Sequence, residues 1–163
     1  MIEIIDNFLP EEEFKSIQSF MMGDNFPWFF INYKVIEGDG HYQFAHMFYQ
    51  DNLGALSEYI DLWSSFMTKV KAKQCFRIKA NMTLKTLTPE KSEFHTDYIE
   101  LNKDIKTAIL YINTNDGYTE FKNGVIVSSV ANRACIFDSN FEHRGVGHTL
   151  PDPHRIVVNF NYE

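Results

Sequence analysis

A chain of 163 residues is long enough to bury one core without disulfides or a structural metal, so a single domain over 1–163 is expected. Its formal charge of −7 carries no basic stripe, so nucleic acid is not an expected partner on charge grounds, and Cys75 and Cys135 lack the paired spacing of a disulfide framework or a cysteine-rich zinc site. No apolar run reaches the roughly 18 residues that span a bilayer, and the acidic opening MIEIIDNFLPEEEF is unlike a signal peptide, so a soluble, cytoplasmic protein is expected.

Residues 2–6 (IEIID) predict a short strand, and Leu9-Pro10-Glu11-Glu12-Glu13 sets a proline and acidic residues at a helix start. A helix from about Pro10 to Met22 follows, with Phe14, Ile17, Phe20 and Met21 on one face. FPWFFINYKVIEG is aromatic and β-branched enough to be extended, Gly38-Asp39-Gly40 is a turn, and residues 41–50 are extended again. DNLGALSEYIDLWSSFMTKV carries Leu53, Leu56, Ile60, Trp63, Phe66 and Met67 at helical spacing, which predicts a second helix capped by Asp51 or Asn52. Lys69, Lys71, Lys73 and Arg77 form a short positive stretch, expected to be a solvated loop or helix end.

From Gln74 the pattern changes to short β runs: CFRIKANMTLKT, FHTDYIE, TAILYINT, NDGYTEF, GVIVSSV, RACIFDS, HRGVGHT and RIVVNFNYE. Asn115-Asp116-Gly117 and Lys122-Asn123-Gly124 suit hairpin turns. The expected fold is mostly β with N-terminal helices, a sandwich or barrel over 74–163 supported by a helical and extended part over 1–73.

His95-Thr96-Asp97 places two metal-ligand side chains two residues apart, so on a strand or its extension both point the same way. His143 is the best placed third ligand. Two histidines and one carboxylate on one face of Fe(II) leave three positions open, two for a 2-oxo acid and one for O2. Twelve residues on, Arg155 opens the apolar strand RIVVNFNYE, so a permanent cation is directed into or beside a β core and needs an anionic partner. That partner is either a surface carboxylate or, beside the triad, the distal carboxylate of 2-oxoglutarate. Of the other histidines, His154 should point outward if Arg155 points inward, His148 reads as a loop residue, and His46 reads as a satisfied core histidine, with a place in the pocket wall as the alternative.

His-X-Asp, a distant His and an Arg a dozen residues later make the second half, about 74–163, resemble the Fe(II)/2-oxoglutarate-dependent dioxygenase superfamily, in the broad group with prolyl hydroxylase-like proteins. The segment from TAILYINTNDGYTEF through NRACIFDSNFEHRG is similar to small members from marine phages and bacteria; if the chain is phage-encoded, its compartment would be the host cytoplasm. The resemblance implies a double-stranded β-helix, or jelly roll, with Fe(II), 2-oxoglutarate and O2 as cofactor and cosubstrates. It also implies hydroxylation of a substrate with release of succinate and CO2. Tyr111 matches the position of a hydroxyl that joins the arginine in holding 2-oxoglutarate, and is otherwise a half-buried strand tyrosine. Asn81 is a candidate for the proximal carboxylate, or a strand-edge or turn-facing asparagine. The sequence departs from prolyl hydroxylases in having Leu87-Thr88-Pro89-Glu90 where those carry a Tyr-Pro-Gly type turn, which puts a prolyl substrate in doubt.

Two other classes fit the same residues: a cupin-like metalloenzyme that uses the triad without a 2-oxo acid, and a non-catalytic jelly-roll binding module. Trp28, Phe29, Phe30 and Tyr98 are candidate pocket walls. The substrate class, whether peptide, small metabolite or nucleobase, has no readable motif, and a monomer or homodimer is expected, with RIVVNFNYE as an edge strand able to pair.

Overall fold

The computed structural model describes residues 1–97 and 104–163. The chain opens with β1 (Glu3–Ile5), α1 (Glu11–Met21), β2 (Phe29–Ile31), β3 (Gln43–Gln50) and β4 (Gly54–Ala55). A 3-10 turn (Ile60–Trp63) leads into α2 (Ser64–Lys69). Then come β5 (Cys75–Leu84), β6 (Lys106–Tyr111), β7 (Tyr118–Phe121), β8 (Ile126–Ser128), β9 (Arg133–Asp138), β10 (His143–Val146) and β11 (His154–Tyr162). Among the described residues no helix is long and apolar enough to cross a membrane.

The strands form two antiparallel sheets. The larger runs β1-β9-β6-β11-β5-β3-β2, with β4 added on β3, and the smaller runs β10-β7-β8. Side chains alternate across a strand, so each long strand of the large sheet serves two layers. Ala108, Leu110 and Ile112 on one side of the β6 segment, and Ile156, Val158 and Phe160 on one side of β11, pack beneath the helices with Phe14, Ile17, Met21, Trp63 and Phe66. Ile109, Tyr111 and Val157 face the other way and pack against Phe121 and Val127 of the small sheet. Phe160 is the hub of the helical side, stacked on Phe66 at 3.7 Å between ring centroids and edge-on to Trp63 at 5.3 Å.

α1 starts where expected, with Pro10 at its cap and Glu11–Glu13 in the first turn, where the helix dipole favours negative charge. Asn132, at φ 62°, fastens the segment before it: its side-chain oxygen accepts from the Leu9 amide and its amide donates to the Leu9 carbonyl, both at 2.8 Å. The N-terminal part thereby shares one core with the sheet.

Several expectations are corrected. The second helix begins at Ile60, not near Asn52, because Gly54 takes φ +78° and the chain turns back along β3, Leu56 N–H donating to Phe48 C=O. Leu53 and Leu56, counted as part of its apolar face, are exposed. FPWFFINYKVIEG is strand only over β2, and the rest is loop. Asn115-Asp116-Gly117 is not a hairpin turn, since it crosses from β6 in one sheet to β7 in the other, and Asp116 accepts from Thr149 and Leu150 amides. Lys122-Asn123-Gly124 is the expected hairpin, with Gly124 at φ +89°. RIVVNFNYE is no edge: β11 is paired on both sides, by β5 and β6.

Replacing Phe160 by Ala should cost roughly 3–5 kcal/mol of unfolding free energy. Urea denaturation measures this, and a loss below about 1 kcal/mol would show that the aromatic hub does not hold the helices to the sheet.

Candidate metal centre and cavity

β5 is the floor of the site. Its buried positions Ile78 and Ala80 face the helical core, so by alternation Arg77, Lys79, Asn81 and Thr83 face the small sheet. β11 lies alongside in a register that pairs Arg155 with Thr83, Val157 with Asn81, Asn159 with Lys79 and Asn161 with Arg77. These rows, Asn161 apart, line an open cavity of about 750 Å³ bounded also by residues of β10, the 92–97 segment and the Tyr33–Ile36 loop.

His95, Asp97 and His143 meet in this cavity, with one ligand atom of each within 4.8 Å of the others. The 94–97 segment is not the strand that FHTDYIE suggested. It touches β10 through a single bridge in which His95 and His143 exchange both backbone hydrogen bonds at 2.9 Å. That bridge sets the two rings side by side, with centroids 4.7 Å apart. Each ring is turned by a carbonyl: His95 Nδ1–H donates to Glu93 C=O at 3.1 Å and His143 Nδ1–H to Phe141 C=O at 3.0 Å. A carbonyl only accepts, so the protons sit on Nδ1 and both Nε2 lone pairs face Asp97, each 3.9 Å from a carboxylate oxygen. Such a cluster of two imidazole nitrogens and a carboxylate can hold a divalent metal on one side and leave the cavity side open.

The Asp97 side chain is buried, and its Oδ1 accepts from Arg77 Nη2 at 3.1 Å while, among the described residues, Oδ2 has no hydrogen-bond partner. Burial pushes its carboxyl up, but Arg77 and the two histidines outweigh burial and hold it below the usual carboxylate range. Arg77 is itself fixed, since Nε donates to Asn161 Oδ1 at 2.9 Å, Asn161 donates to Thr107 Oγ1 at 2.9 Å, and Thr107 meets Ser139 at 2.9 Å. Burial beside Phe121 and Phe137 lowers the His143 pKa, with Asp97 opposing, which favours the neutral imidazole that a metal requires.

At the other end of the floor, Arg155 is 6 % exposed. Its Nε donates to Ser129 Oγ at 2.8 Å, and its guanidinium stands 5.7 Å from the Tyr111 ring centroid. Among the described residues it has no carboxylate partner, and burial lowers its pKa. Gly117 makes room for it: a Cβ there would lie 2.7 Å from Arg155 Cδ and 3.0 Å from the Val146 carbonyl oxygen. Tyr111 lies outside the cavity lining, and its hydroxyl donates to Thr119 Oγ1 at 2.7 Å. Thr119, not Tyr111, presents the hydroxyl to the cavity on this wall. Asn81 does line the cavity, and among the described residues its buried Oδ1 has no donor, nor have the buried Thr83 Oγ1 and Asn159 Oδ1 a partner.

The remaining histidines lie apart from the triad. His46 is a satisfied core residue between the Pro27 carbonyl and Ser57 Oγ, both at 2.8 Å. His148 is fully buried against Asp152 C=O, and His154 is partly exposed while Arg155 is buried. Trp28 packs on Phe26, and Phe29 and Phe30 are exposed on β2, so none of the three forms the wall; Tyr98 lies outside the described residues. The wall is made instead by the loop at Tyr33–Ile36, tied by Asp39, whose carboxylate accepts from the amides of Lys34, Val35, Ile36 and His41. Sequence reasoning placed Arg77 in a solvated basic stretch and passed over Lys79; the signal was the alternation of β5, which puts both on the face opposite Phe76 and Ile78.

No protein-family model matches the chain, and no curated protein matches it. Solved structures do. A prolyl hydroxylase from Trichoplax adhaerens, in complex with a hypoxia-inducible-factor peptide fragment, superposes with a TM-score of 0.69 at 16% identity, over 99% of this chain and 82% of that one. A Pseudomonas putida prolyl-4-hydroxylase gives 0.66 at 14%, over 99% and 91%. The non-haem α-ketoglutarate-dependent epimerase SnoN of nogalamycin biosynthesis gives 0.68 at 11%, over 99% and 77%. At these identities the likeness establishes the fold that this chain shares with them.

Two outcomes follow from the electrostatics. Arg77→Met should raise the Asp97 carboxyl pKa, read by carbon NMR titration of the metal-free protein; an unchanged value would mean that the ion pair does not hold the carboxylate. Four amides outweigh partial desolvation and hold Asp39 at about 2, against an ordinary 3.8, so its contribution is present above the ordinary value and lost as pH falls through about 2. Hydrogen exchange should show the Val35 and Ile36 amides protected at mildly acidic pH and released near pH 2, and unprotected at neutral pH in Asp39→Ala.

Proposed function

We propose that the chain is a non-haem Fe(II)- and 2-oxoglutarate-dependent oxygenase, built as a single jelly-roll domain over 1–163, that hydroxylates its substrate. The observation that carries this reading is Arg155, a buried guanidinium without a carboxylate partner among the described residues, facing the same cavity as His95, Asp97 and His143. A buried cation is costly without an anion, and a cupin-like enzyme without a 2-oxo acid gives this one nothing to bind.

The residues present fit the absent groups. Asp97 Oδ2 and the two Nε2 atoms would supply the donor set for Fe(II), and the Asn81 and Thr83 oxygens, without a donor among the described residues, support a polar occupant on the cavity floor. When bound, Fe(II), 2-oxoglutarate and O2 supply the oxidising chemistry, with succinate and CO2 as products. The chain's part is to place and protect. Arg155 takes the distal carboxylate, with Ser129 orienting its guanidinium and Thr119 offering a hydroxyl that Tyr111 steadies from behind. Asn81 is placed to meet the proximal carboxylate. Arg77 keeps Asp97 ionised, the two carbonyls keep both histidines in the ligating tautomer, and Phe121 and Phe137 keep water from the His143 side.

Hydroxylation is the reading of the outcome for a substrate yet to be identified, and the same fold serves an epimerase. Both cysteines are free thiols, in keeping with a reducing cytoplasm, and the three-residue edges β1 and β2 offer little for strand pairing, in keeping with a monomer or homodimer.

Anaerobic titration of the metal-free protein with Fe(II) and 2-oxoglutarate should produce the visible charge-transfer band of a chelated 2-oxo acid. Arg155→Ala should weaken 2-oxoglutarate binding by about 2–5 kcal/mol, and His95→Ala should abolish the band. Iron bound without a band in the unaltered protein would overturn the proposal in favour of a cupin-like metalloenzyme.

A further inference from the structure

Four cations line the cavity: Lys34, Arg77, Lys79 and Arg155. Three have defined duties. Lys34 is paired with Glu90 at 3.2 Å, Arg77 with Asp97, and Arg155 awaits the cosubstrate in the reading above. Lys79 is the fourth. Among the described residues its ammonium has neither an ion pair nor a hydrogen bond, although it lies on the cavity face of β5 between Arg77 and Asn81. Of the two carboxylates in the lining, Asp97 is already held by Arg77, and Glu93 is exposed and unpaired with Lys79.

Position separates Lys79 from the cosubstrate's tail. Arg155 is level with Thr83, four residues along β5 from Lys79, or about 13 Å at the rise of a strand. Lys79 is next to the metal centre instead, two residues from the arginine that grips Asp97. Directly across the sheet from it stands Asn159, whose buried Oδ1 has no donor among the described residues. A cation and an open acceptor side by side suit a group in which an oxyanion adjoins an N–H or O–H.

We propose that Lys79, with Asn159 beside it, anchors an anionic group of the primary substrate, so that the molecule oxidised carries a carboxylate or a phosphate close to the reacting carbon. The inference rests on the oxygenase reading for its account of Arg155. Burial first, and then Arg77, bring the Lys79 pKa down to about 8, with Asp97 opposing, which is the state of an ammonium whose counter-anion has yet to arrive.

Competitive labelling of the unaltered protein with trinitrobenzenesulfonate at mildly alkaline pH, read lysine by lysine by mass spectrometry, tests this without a variant that could misfold. Inorganic phosphate and acetate are the probes, each added with and without Zn(II) and 2-oxoglutarate. The expected result is that one of them slows labelling of Lys79 severalfold in the Zn(II) and 2-oxoglutarate-loaded protein while the exposed Lys122 is unaffected. Preference for phosphate assigns a phosphoryl substrate, and preference for acetate assigns a carboxylate. If 2-oxoglutarate with Zn(II) alone gives all the protection, Lys79 serves the cosubstrate and the proposal is overturned; no protection by either anion overturns it equally. Should the iron titration give no charge-transfer band, the oxygenase reading fails by itself, and the arms without metal still decide whether Lys79 holds an anion.

Discussion

β5 and β11 pair antiparallel in one register from His154 to Asn161, and because neighbouring side chains on a strand point to opposite faces, that register distributes both core and chemistry. It puts Ile78, Ala80, Val158 and Phe160 under the helices and sends Arg77, Lys79, Asn81, Arg155 and Asn159 into the cavity. A slip by one residue would invert both faces at once, burying charge among aromatics and turning Phe160 towards the cavity. The apolar side therefore enforces the polar side. Burial of Phe160, Trp63 and Phe66, which is worth far more than any one hydrogen bond in the cavity, is what holds Arg155 level with Thr83 and Arg77 level with Asn161.

Charge burial follows from that geometry and is answered locally for Asp97, but not for Lys79 or Arg155 among the described residues. Around the triad each group has a fixed partner: Asp97 has Arg77, Arg77 has Asn161, and each histidine has a carbonyl. Around Arg155 the support is neutral, one serine hydroxyl and the face of an aromatic ring. The triad, each member of which is held by a fixed neighbour, is suited to keep its shape while a metal comes and goes, and the Arg155 guanidinium is suited to discriminate for an anion, since nothing neutral repays its desolvation.

The strands after Gln74, the 94–97 segment apart, and the meeting of His95, Asp97 and His143 are legible because their signals are local: alternation of apolar residues for the strands, and the liganding chemistry of His and Asp two apart for the cluster. Arg155 was legible for a related reason, a permanent cation set into an apolar run. What failed depends on partners distant in sequence. Leu53 and Leu56 share helical spacing with Trp63, but Gly54 turns the chain before the helix can start. Asn115-Asp116-Gly117 has hairpin chemistry, yet β6 and β7 belong to different sheets. Tyr111 sits on the expected strand, and only the placement of Thr119 opposite shows that its hydroxyl is engaged behind the wall. Arg77 looked like the end of a lysine-rich surface stretch, and only its alternation with Phe76 and Ile78 marks it as facing inward.

The central place of β11 also orders the assembly of the molecule. β5 ends at residue 84 and β6 at 111, but the strand that joins them begins at 154, so the β2-β3-β5 half and the β1-β9-β6 half of the large sheet have no common partner until late. Long-range closure of this kind is slow compared with local pairing, and in the interval both halves present open edges on which a wrong strand could dock. Arg77 and Lys79 lie on one of the two waiting strands, and charges on an open strand discourage non-native pairing. The cations that equip the finished cavity thus also guard the unfinished sheet, so that stripping them would be felt first in the yield of folded protein from a cell and only afterwards in its chemistry.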